Sequence, residues 1–242
     1  ISLKDSRIGE AMHSSIGAWT EAQVVYIQQS KLSHRLSDSS QVGTPLVIYD
    51  IGLGIAANAL AAIQVFQELP SRRDLHLISF ETDLSALSFA LEAEDSFFFL
   101  SRQKDLIQQM LKNHRVEKII STLPEMKLTW ELKIGDFRNS IDSGLPSPEL
   151  IYFDLYSPKI CPELWNRESF ALLFAATEFR RKQGLPSELF TYSSATATQK
   201  ALSEAGFWVS KGESTSRKRE TTIASSLSPM DGVLAGENSC SS

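Results

Sequence analysis

LVIYDIGLGIAANALAAIQVF, residues 46–66, is the stretch of sequence that decides the fold of this chain. Its first four residues are apolar or β-branched and predict a strand that is buried on both faces. Gly52 and Gly54 predict a tight turn, and the apolar residues that follow recur at helical spacing. A strand, a glycine turn and a helix N-terminus together present free backbone amides. Such a junction binds the polar part of a nucleotide-like ligand.

The glycine turn suits more than one ligand class. Gly52, Gly54 and Ala57 match a dinucleotide fingerprint only in its permissive form. Asp50, directly before the turn, can meet a cationic amine, and Glu81, at the end of the next predicted strand, can accept both ribose hydroxyls. These acids suit S-adenosylmethionine (SAM) as well as a dinucleotide. The strand pattern favours SAM, and the bland alternative is a glycine turn that merely closes a βα unit.

Composition narrows the class of protein. The chain has 242 residues, 42% hydrophobic and 22% charged, which predicts one α/β domain. Its net charge of −5 creates no global attraction to nucleic acid, so an RNA contact must be a local patch. Cys161 and Cys240 are too few for a disulfide framework or a zinc site, and no metal is predicted. The chain has no apolar run of membrane length and no signal-peptide pattern, which predicts a cytoplasmic protein without membrane contact.

Three regions are predicted along the chain. Residues 1–44 form an N-terminal extension that packs on the core through an amphipathic helix over residues 19–32. Residues 45–226 form the main domain, and residues 227–242, rich in Ser, Gly and Asn, form a disordered tail. The first residue is Ile rather than Met, which predicts a trimmed chain or a piece of a longer product.

The order of the predicted strands indicates the fold class. Seven strands are predicted over residues 46–49, 75–80, 127–134, 150–154, 189–193, 207–210 and 219–225. A short loop joins the last two, which predicts an antiparallel hairpin. Helices between the early strands and a hairpin at the end are typical of the Rossmann-like sheet of class I SAM methyltransferases. NAD-type Rossmann sheets normally lack that hairpin.

Two further strand ends carry candidate site residues. Asp136 and Phe137 follow the third predicted strand and suit an adenine, although their spacing alone would make them a turn. There the Asp136 carboxylate can accept from the exocyclic amine while the Phe137 ring packs near the base. Asp154 ends the fourth predicted strand, and a proline-containing loop follows it. This arrangement predicts that Asp154 and Tyr156 are presented together above the sheet.

Several motifs together resemble a known family. They are GEAMHS at residues 9–14, DIGLG with Asn58 at residues 50–58, FETD at 80–83, FDLYSPKICPELW at 153–165, TYSSA at 191–195, AGF at 205–207 and KRE at 218–220. The set resembles the tRNA 5-methylaminomethyl-2-thiouridine methyltransferase family, the SAM-dependent half of a bifunctional tRNA modification enzyme. The resemblance covers roughly residues 5–225. It departs from the family at Ala56, where members commonly carry another glycine.

The resemblance implies a reaction and a partner. The reaction is methyl transfer from SAM to the exocyclic amine of 5-aminomethyl-2-thiouridine at the tRNA wobble position. In many members an FAD-dependent oxidase domain follows and first removes a carboxymethyl group. This chain ends before such a domain, so we expect a stand-alone methyltransferase and a separate enzyme that supplies the aminomethyl-uridine.

The resemblance also assigns site residues by position. Cofactor contacts are implied for Asp50, Gly52, Gly54, Asn58, Glu81 and Asp154, and the place of Asp136 and Phe137 after the third predicted strand adds these two residues to the predicted cofactor site. Substrate contacts are implied for His13, Ser14, Tyr156, Ser157, Pro158, Lys159, Lys218 and Arg219. A lone histidine such as His13 is as often a surface residue as a ligand contact.

Asp154 and Tyr156 are the predicted catalytic residues. The attacking amine must be neutral and held in line with the methyl group. Asp154 can accept a hydrogen bond from this amine, orient it and take its proton. Tyr156 can stack on a flipped uracil or hold the amine through its hydroxyl. The bland alternative for Asp154 is a carboxylate that caps a helix or pairs with a lysine.

A tRNA substrate also calls for cations on one rim of the pocket. The candidates are Lys4, Arg7, Lys31, Arg35, Arg180, Arg181, Lys182, Lys211, Arg217, Lys218 and Arg219. We predict that they meet on the pocket side, although charge runs are more often solvated faces. Alternative readings are another class I methyltransferase or an aminopropyltransferase acting on a small amine, an NAD(P) oxidoreductase, and a non-catalytic tRNA-binding module.

Overall fold

One mixed sheet of eight strands runs through the computed structural model, which describes residues 17–69, 73–93, 96–122, 125–141, 144–212 and 220–228. The strands are β1 Leu46–Ile51, β2 Leu75–Glu81, β3 Arg115–Thr122, β4 Glu125–Ile134, β5 Leu150–Phe153, β6 Glu188–Thr191, β7 Trp208–Gly212 and β8 Thr221–Ser225. Their order across the sheet is β3-β4-β2-β1-β5-β6-β8-β7. The five strands from β4 to β6 in this order are parallel, and their carboxyl ends lie at one edge.

The predicted α/β fold with a terminal antiparallel hairpin is confirmed. β7 pairs with β8, and β8 lies antiparallel between β6 and β7. The predicted count of seven strands is one short, because β3 pairs antiparallel with β4 at the edge of the sheet. An edge strand has a partner on one side only and needs no continuous apolar run. Arg115, Glu117 and Lys118 interrupt the apolar pattern of β3, which hid this strand in the sequence.

Helices cover both faces of the sheet. They are α1 Ala18–Glu21, a π-helix Ala22–Gln28, α2 Leu32–Leu36, α3 Ala57–Glu68, α4 Ser85–Glu92, α5 Phe98–Ser101, α6 Lys104–Asn113, α7 Phe137–Ser140, α8 Arg167–Ala176, α9 Glu178–Lys182 and α10 Thr196–Glu204. One core lies beneath the helices from α1 to α6, and the other lies beneath α7, α8 and α10. None of the helices that the structure describes is long and apolar enough to cross a membrane.

The alternation of β1 explains its unbroken apolar run. Leu46 and Ile48 point into the first core, whereas Val47, Tyr49 and Ile51 point into the second. Each face of the strand is therefore covered by helices, and every residue of β1 is buried. This central position fixes the glycine turn that follows β1 at the middle of the sheet edge.

The N-terminal helical segment differs from the single helix that was predicted over residues 19–32. α1 continues directly into the π-helix. Lys31, whose φ of +51° is left-handed, then interrupts the helical conformation before α2. Ala22, Val25 and Tyr26 are nonetheless buried in the first core. A π-helix offsets the side chains that follow relative to a regular α-helix and is frequent at functional sites.

A buried ion cluster lies at the amino ends of the parallel strands, opposite the glycine turn. Glu149, 5% exposed, directly precedes β5, and its Oε2 accepts from Arg73 Nη2 at 2.8 Å. Arg35 and Arg180 each place an Nη1 atom 3.3 Å from the same carboxylate. Burial opposes ionisation of Glu149, but the Arg73 hydrogen bond and the three positive charges outweigh it and lower its pKa. The cluster ties α2 and α9 to the start of β5.

Replacing Glu149 with glutamine is expected to lower the free energy of unfolding by about 3 kcal/mol, because it leaves buried guanidinium groups without their counter-charge. Arg73, 1% exposed, cannot turn to solvent. Urea unfolding measures the loss. Glu188→Gln is the matched control, since Glu188 also pairs with Arg35 but is 26% exposed, and we expect it to lose less than about 1 kcal/mol. Equal losses in the two variants would contradict the role of the buried cluster.

Candidate active site

A cavity opens at the carboxyl ends of β1, β2, β4 and β5, where open α/β sheets bind their ligands. Its empty volume, including open solvent at the mouth, is about 890 Å³. Eight of the predicted site residues line it: Gly52, Gly54, Asn58, Glu81, Asp136, Phe137, Asp154 and Tyr156. Residues from four strand ends, distant in sequence, thus meet around one cavity.

The glycine turn forms one wall of the cavity and touches the end of β5. Gly52 has φ of +91°, and a Cβ atom built on it would lie 2.5 Å from the backbone oxygen of Asp154. Gly54 has φ of +53°, and its N–H donates to Glu81 Oε2 at 2.9 Å. Ala56, which stands where family members commonly carry glycine, has φ of +64° just before α3. The alanine therefore adopts a left-handed conformation that glycine enters more readily.

Glu81 is held by backbone groups on both sides of the cavity edge. Its Oε1 accepts from the N–H of Thr82 at 2.7 Å and of Asp83 at 3.2 Å, while Oε2 accepts from Gly54. These bonds fix the Glu81 carboxylate between the turn that follows β1 and the turn that follows β2. The predicted hydrogen bonds from ribose hydroxyls to Glu81 stay a prediction, and a carboxylate has lone pairs for them in addition.

Asp50 lies behind the cavity wall. Its side chain is fully buried, Oδ2 accepts from Ser79 Oγ at 2.8 Å, and Ser79 Oγ accepts from Trp130 Nε1 at 3.0 Å. Oδ1 has no hydrogen-bond partner among the described residues. Burial, together with the charges of Asp154 and Glu81, raises the pKa of Asp50 to about 8 against the opposing Ser79 bond. Asp50 offers a ligand no exposed surface, and its predicted cofactor contact stays a prediction.

The raised pKa of Asp50 makes stability depend on pH. The folded protein holds this proton up to about pH 8, whereas the unfolded chain releases it near pH 4. The stabilisation is complete below pH 4 and is lost as the pH rises toward 8. Between pH 5 and pH 7 the free energy of unfolding of the wild type should fall as the pH rises. In the Asp50→Asn variant this fall should be shallower than in the wild type, by up to about 1 kcal/mol per pH unit. Urea unfolding at pH 5, 6 and 7 measures this slope, and a wild-type slope in the variant would contradict it.

Asp154 is the acid of the cavity with the most distinctive environment. Asn58 Nδ2 donates to its Oδ2 at 2.7 Å, and the Tyr26 hydroxyl, which donates to Phe153 O at 3.3 Å, lies near the carboxylate and favours its ionised form. Burial first, and then the negative charge of Glu21, raise the pKa of Asp154 to about 7, while the Asn58 bond and the Tyr26 hydroxyl oppose the rise. A carboxylate with such a pKa can gain and lose a proton at neutral pH.

The loop after β5 is anchored through backbone oxygens. Tyr156 O accepts from Trp165 Nε1 at 2.7 Å and from the Cys161 thiol at 3.1 Å. Tyr192 donates its hydroxyl to Leu155 O at 2.9 Å. The Trp165 ring in turn packs edge-on against Phe153, with ring centroids 4.8 Å apart. These contacts hold the Tyr156 side chain at the cavity wall beside Asp154.

Asp136 and Phe137 line the cavity at the carboxyl end of β4. Asp136 Oδ1 accepts from the N–H of Arg138, which caps α7, and its Oδ2 pairs with Arg138 Nη2 at 2.5 Å. The hydrogen bonds from Arg138 lower the pKa of Asp136. Phe137 packs edge-on against Phe153 at 5.9 Å. Asp136 thus has a structural role as the N-cap of α7, in agreement with the alternative that these residues form a turn. Its predicted contact with adenine stays a prediction.

Other predicted residues lie elsewhere. His13, Ser14, Lys218 and Arg219 fall outside the described residues, as do Lys4, Arg7 and Arg217. Ser157 and Pro158 are half-buried and Lys159 is exposed, and none of these three lines the cavity.

The predicted meeting of the cations on the pocket side is wrong for Arg35 and Arg180. Both pair with Glu149 at the opposite end of β5. Arg181 lies over the Phe174 ring at 4.1 Å, Lys182 pairs with Glu178 and Lys211 pairs with Glu220. Each of these five cations, which were predicted to contact the tRNA phosphates, thus has a partner within the protein: a carboxylate or an aromatic ring.

Sequence reasoning missed Tyr26 and Glu21 as neighbours of Asp154. Tyr26 lies in the π-helix, is fully buried and donates to Phe153 O at 3.3 Å. The sequence places it within the amphipathic helix predicted over residues 19–32. The hydroxyl that tyrosine carries and phenylalanine lacks is the only sequence signal, because a buried hydroxyl needs a polar partner.

The fold and the site define a class. An open parallel sheet with a terminal antiparallel hairpin and an acidic cavity at its strand ends is the arrangement that the sequence predicts for a class I methyltransferase. A family model described as S-adenosyl-L-methionine-dependent methyltransferase matches residues 100–227, just over half of the chain. The chain belongs to this family, and SAM is its cofactor.

Similar proteins carry a more specific description. The tRNA 5-methylaminomethyl-2-thiouridine biosynthesis bifunctional protein MnmC of Aliivibrio fischeri is 27% identical over 212 residues, which are 83% of this chain and 30% of that protein. The protein of the same name from Vibrio cholerae is 26% identical over 230 residues, 89% of this chain and 32% of that protein. An uncharacterized protein of Methanocaldococcus jannaschii is 25% identical over 222 residues, 92% of this chain and 56% of that protein.

A solved structure has the same fold. The crystal structure of MNMC2 from Aquifex aeolicus aligns with a TM-score of 0.69 and 21% identity, over 94% of this chain and 68% of that chain. The resemblance to the tRNA 5-methylaminomethyl-2-thiouridine methyltransferases that the motifs indicated is confirmed by these matches. The chain spans about a third to about half of the length of the curated relatives it matches.

The cavity fits SAM better than a dinucleotide. Its lining includes Glu81, Asp136 and Asp154, and no lysine or arginine is among its lining residues in the described part of the chain. An acidic wall suits a ligand that carries a sulfonium and an ammonium group, whereas a pyrophosphate would be repelled. Gly52 and Gly54 both line the cavity, so a ligand that enters it meets the glycine turn after β1.

Proposed function

We propose that this protein methylates the aminomethyl group of 5-aminomethyl-2-thiouridine at the wobble position of tRNA. The observation that carries the proposal is the Asp154 carboxylate, which stands in the wall of an acidic cavity with Tyr156 beside it and has its pKa raised to about 7 by burial. The similarity to proteins named for tRNA 5-methylaminomethyl-2-thiouridine biosynthesis supports the choice of substrate.

The residues have distinct proposed roles. Gly52, Gly54 and Glu81 would hold the cofactor at the turn after β1, and Phe137 would pack near its adenine. Bound SAM supplies an electrophilic methyl group. Asp154 accepts a hydrogen bond from the substrate amine, turns its lone pair toward the cavity and takes a proton from it.

Tyr156 and the cavity wall supply the rest of the site. The Tyr156 ring lies beside Asp154, where it can stack on a base that has left its helix. Apolar wall residues such as Leu155 and Phe137 exclude water from the carboxylate, which keeps its proton affinity high. The product would carry one additional methyl group on the exocyclic nitrogen.

Mass spectrometry of tRNA nucleosides tests the proposal. Undermethylated tRNA is incubated with the protein and SAM, digested and compared with a reaction that lacks SAM. The expected result is loss of 5-aminomethyl-2-thiouridine and gain of its N-methylated form. A parallel reaction with radiolabelled SAM and polyamines separates the small-amine alternatives. Label in polyamines and none in tRNA would overturn the proposal.

A further inference from the structure

Two donors from different parts of the chain converge on Asp154. Asn58, the second residue of α3, donates through Nδ2 to Oδ2 at 2.7 Å and is 5% exposed. Tyr26, from the π-helix, is fully buried, and its hydroxyl donates at 3.3 Å to the carbonyl oxygen of Phe153, the residue before Asp154, and interacts electrostatically with the Asp154 carboxylate. Donors on two helices therefore approach a carboxylate at the end of a strand.

We propose that Tyr26 and Asn58 are positioning residues, which hold the Asp154 carboxylate in the orientation that receives the substrate amine. This inference rests on the proposed function of Asp154 as the proton acceptor. It assigns a part of the site to the N-terminal helical segment, which contributes none of the lining residues of the cavity among those described. A buried carboxylate without donors would turn toward any available polar group or become protonated.

The charged and polar neighbours of Asp154 determine whether a given substitution raises or lowers its proton affinity. Glu21 of α1 and the buried Asp50 of β1 are negative or potentially negative neighbours, and Tyr192 follows β6 on the far side of Tyr26. The donors Tyr26 and Asn58 favour the ionised carboxylate, whereas Glu21 disfavours it. Removing a donor must raise the proton affinity of Asp154, and removing the Glu21 charge must lower it.

The packing of Tyr26 offers a matched control. The Tyr26 and Tyr152 rings lie 5.3 Å apart, and both side chains are fully buried. The Tyr152 hydroxyl bonds Ser30 Oγ at 3.2 Å. Tyr26→Phe and Tyr152→Phe each remove one buried hydroxyl from the same core, but only the first removes a partner of Asp154.

The test is a carboxyl ¹³C NMR titration of the free, full-length protein with labelled aspartate, and Asp154→Asn assigns the signal. We expect Tyr26→Phe to raise the proton affinity of Asp154 by about three- to tenfold, since the substitution removes a hydroxyl dipole that favours the ionised carboxylate. Glu21→Gln is expected to shift the midpoint in the opposite direction, and Tyr152→Phe is expected to leave it in place. The acid limb of the pH–rate profile should move with the midpoint, while the SAM dissociation constant stays the same.

Each outcome decides the question. An unmoved midpoint in Tyr26→Phe, or equal shifts in Tyr26→Phe and Tyr152→Phe, would overturn the assignment of Tyr26. If Tyr26→Phe does not fold, Asn58→Ser replaces it as the test, since serine keeps a small polar side chain on α3. We expect this variant also to raise the titration midpoint of Asp154, and an unmoved midpoint would overturn the proposal. Because the titration needs no substrate, it stands even if wild-type protein fails to methylate tRNA, which would overturn the proposed function alone.

Discussion

The Asp154→Asn variant is expected to keep most of its affinity for SAM, because Glu81 and Asp136 remain in the acidic wall, and to lose about 10³-fold in turnover. Asparagine keeps the shape of the side chain and can still meet Asn58, but it cannot take a proton from the substrate amine. General base catalysis contributes roughly 10²–10⁴-fold, and this substitution removes the base. Calorimetry with SAM and single-turnover methylation of tRNA measure the two effects separately.

Asp105→Asn serves as the control for this prediction, because Asp105 is an exposed acid on α6 and does not line the cavity. It should keep wild-type turnover. For the wild type, turnover should rise with pH through about 7, since the ionised form of Asp154 accepts the proton. An Asp154→Asn enzyme that turns over at the wild-type rate would remove Asp154 from the mechanism.

The Gly52→Ala variant is expected to lose about 2–5 kcal/mol in free energy of unfolding. Two costs combine at this position. The backbone has φ of +91°, which an L side chain rarely adopts, and the added Cβ would lie 2.5 Å from Asp154 O and 3.0 Å from a Leu155 methyl carbon. Relief requires the end of β5 to move away from the turn, so we also expect SAM affinity to fall by more than about tenfold.

Gly43→Ala separates the two costs. Gly43 has φ of +79°, close to that of Gly52, but a Cβ atom there would meet nothing within 4 Å. This variant should lose only about 1 kcal/mol and bind SAM normally. Urea unfolding and calorimetry give both numbers for each variant. Losses of equal size at the two glycines would show that the close approach of the β1 turn to β5 is unimportant.

Much of the candidate site could be predicted because it follows from local patterns. The apolar run of β1, the two glycines and the helical spacing of α3 are all adjacent in sequence, and parallel strands bring their carboxyl ends to one edge. Glu81, Asp136 and Asp154 each follow a strand by the same rule, and all three line the cavity. Edge strand β3 escaped prediction because a half-solvated strand tolerates charges that erase its periodicity.

Asp50 illustrates the limit of local reasoning. Its place before the glycine turn suggested a ligand contact. Because side chains alternate along β1, however, Asp50 points to the same face of the sheet as Leu46 and Ile48, beneath the helices that cover the first core. Whether a residue at a strand end faces a ligand or the core depends on which face the next element covers. That choice is made by packing rather than by the motif.

The sequence by itself determined the α/β fold, the hairpin at its end, the glycine turn and the acids that follow the strands, since each is encoded by residues close together along the chain. Only the tertiary structure decided that Asn58 bonds Asp154, that Tyr26 bonds the neighbouring Phe153 carbonyl, that Arg35 and Arg180 pair with Glu149, and that Asp50 is buried. Charges and hydroxyls choose their partners by distance in space. Partners that are distant along the chain leave no periodic trace in the sequence.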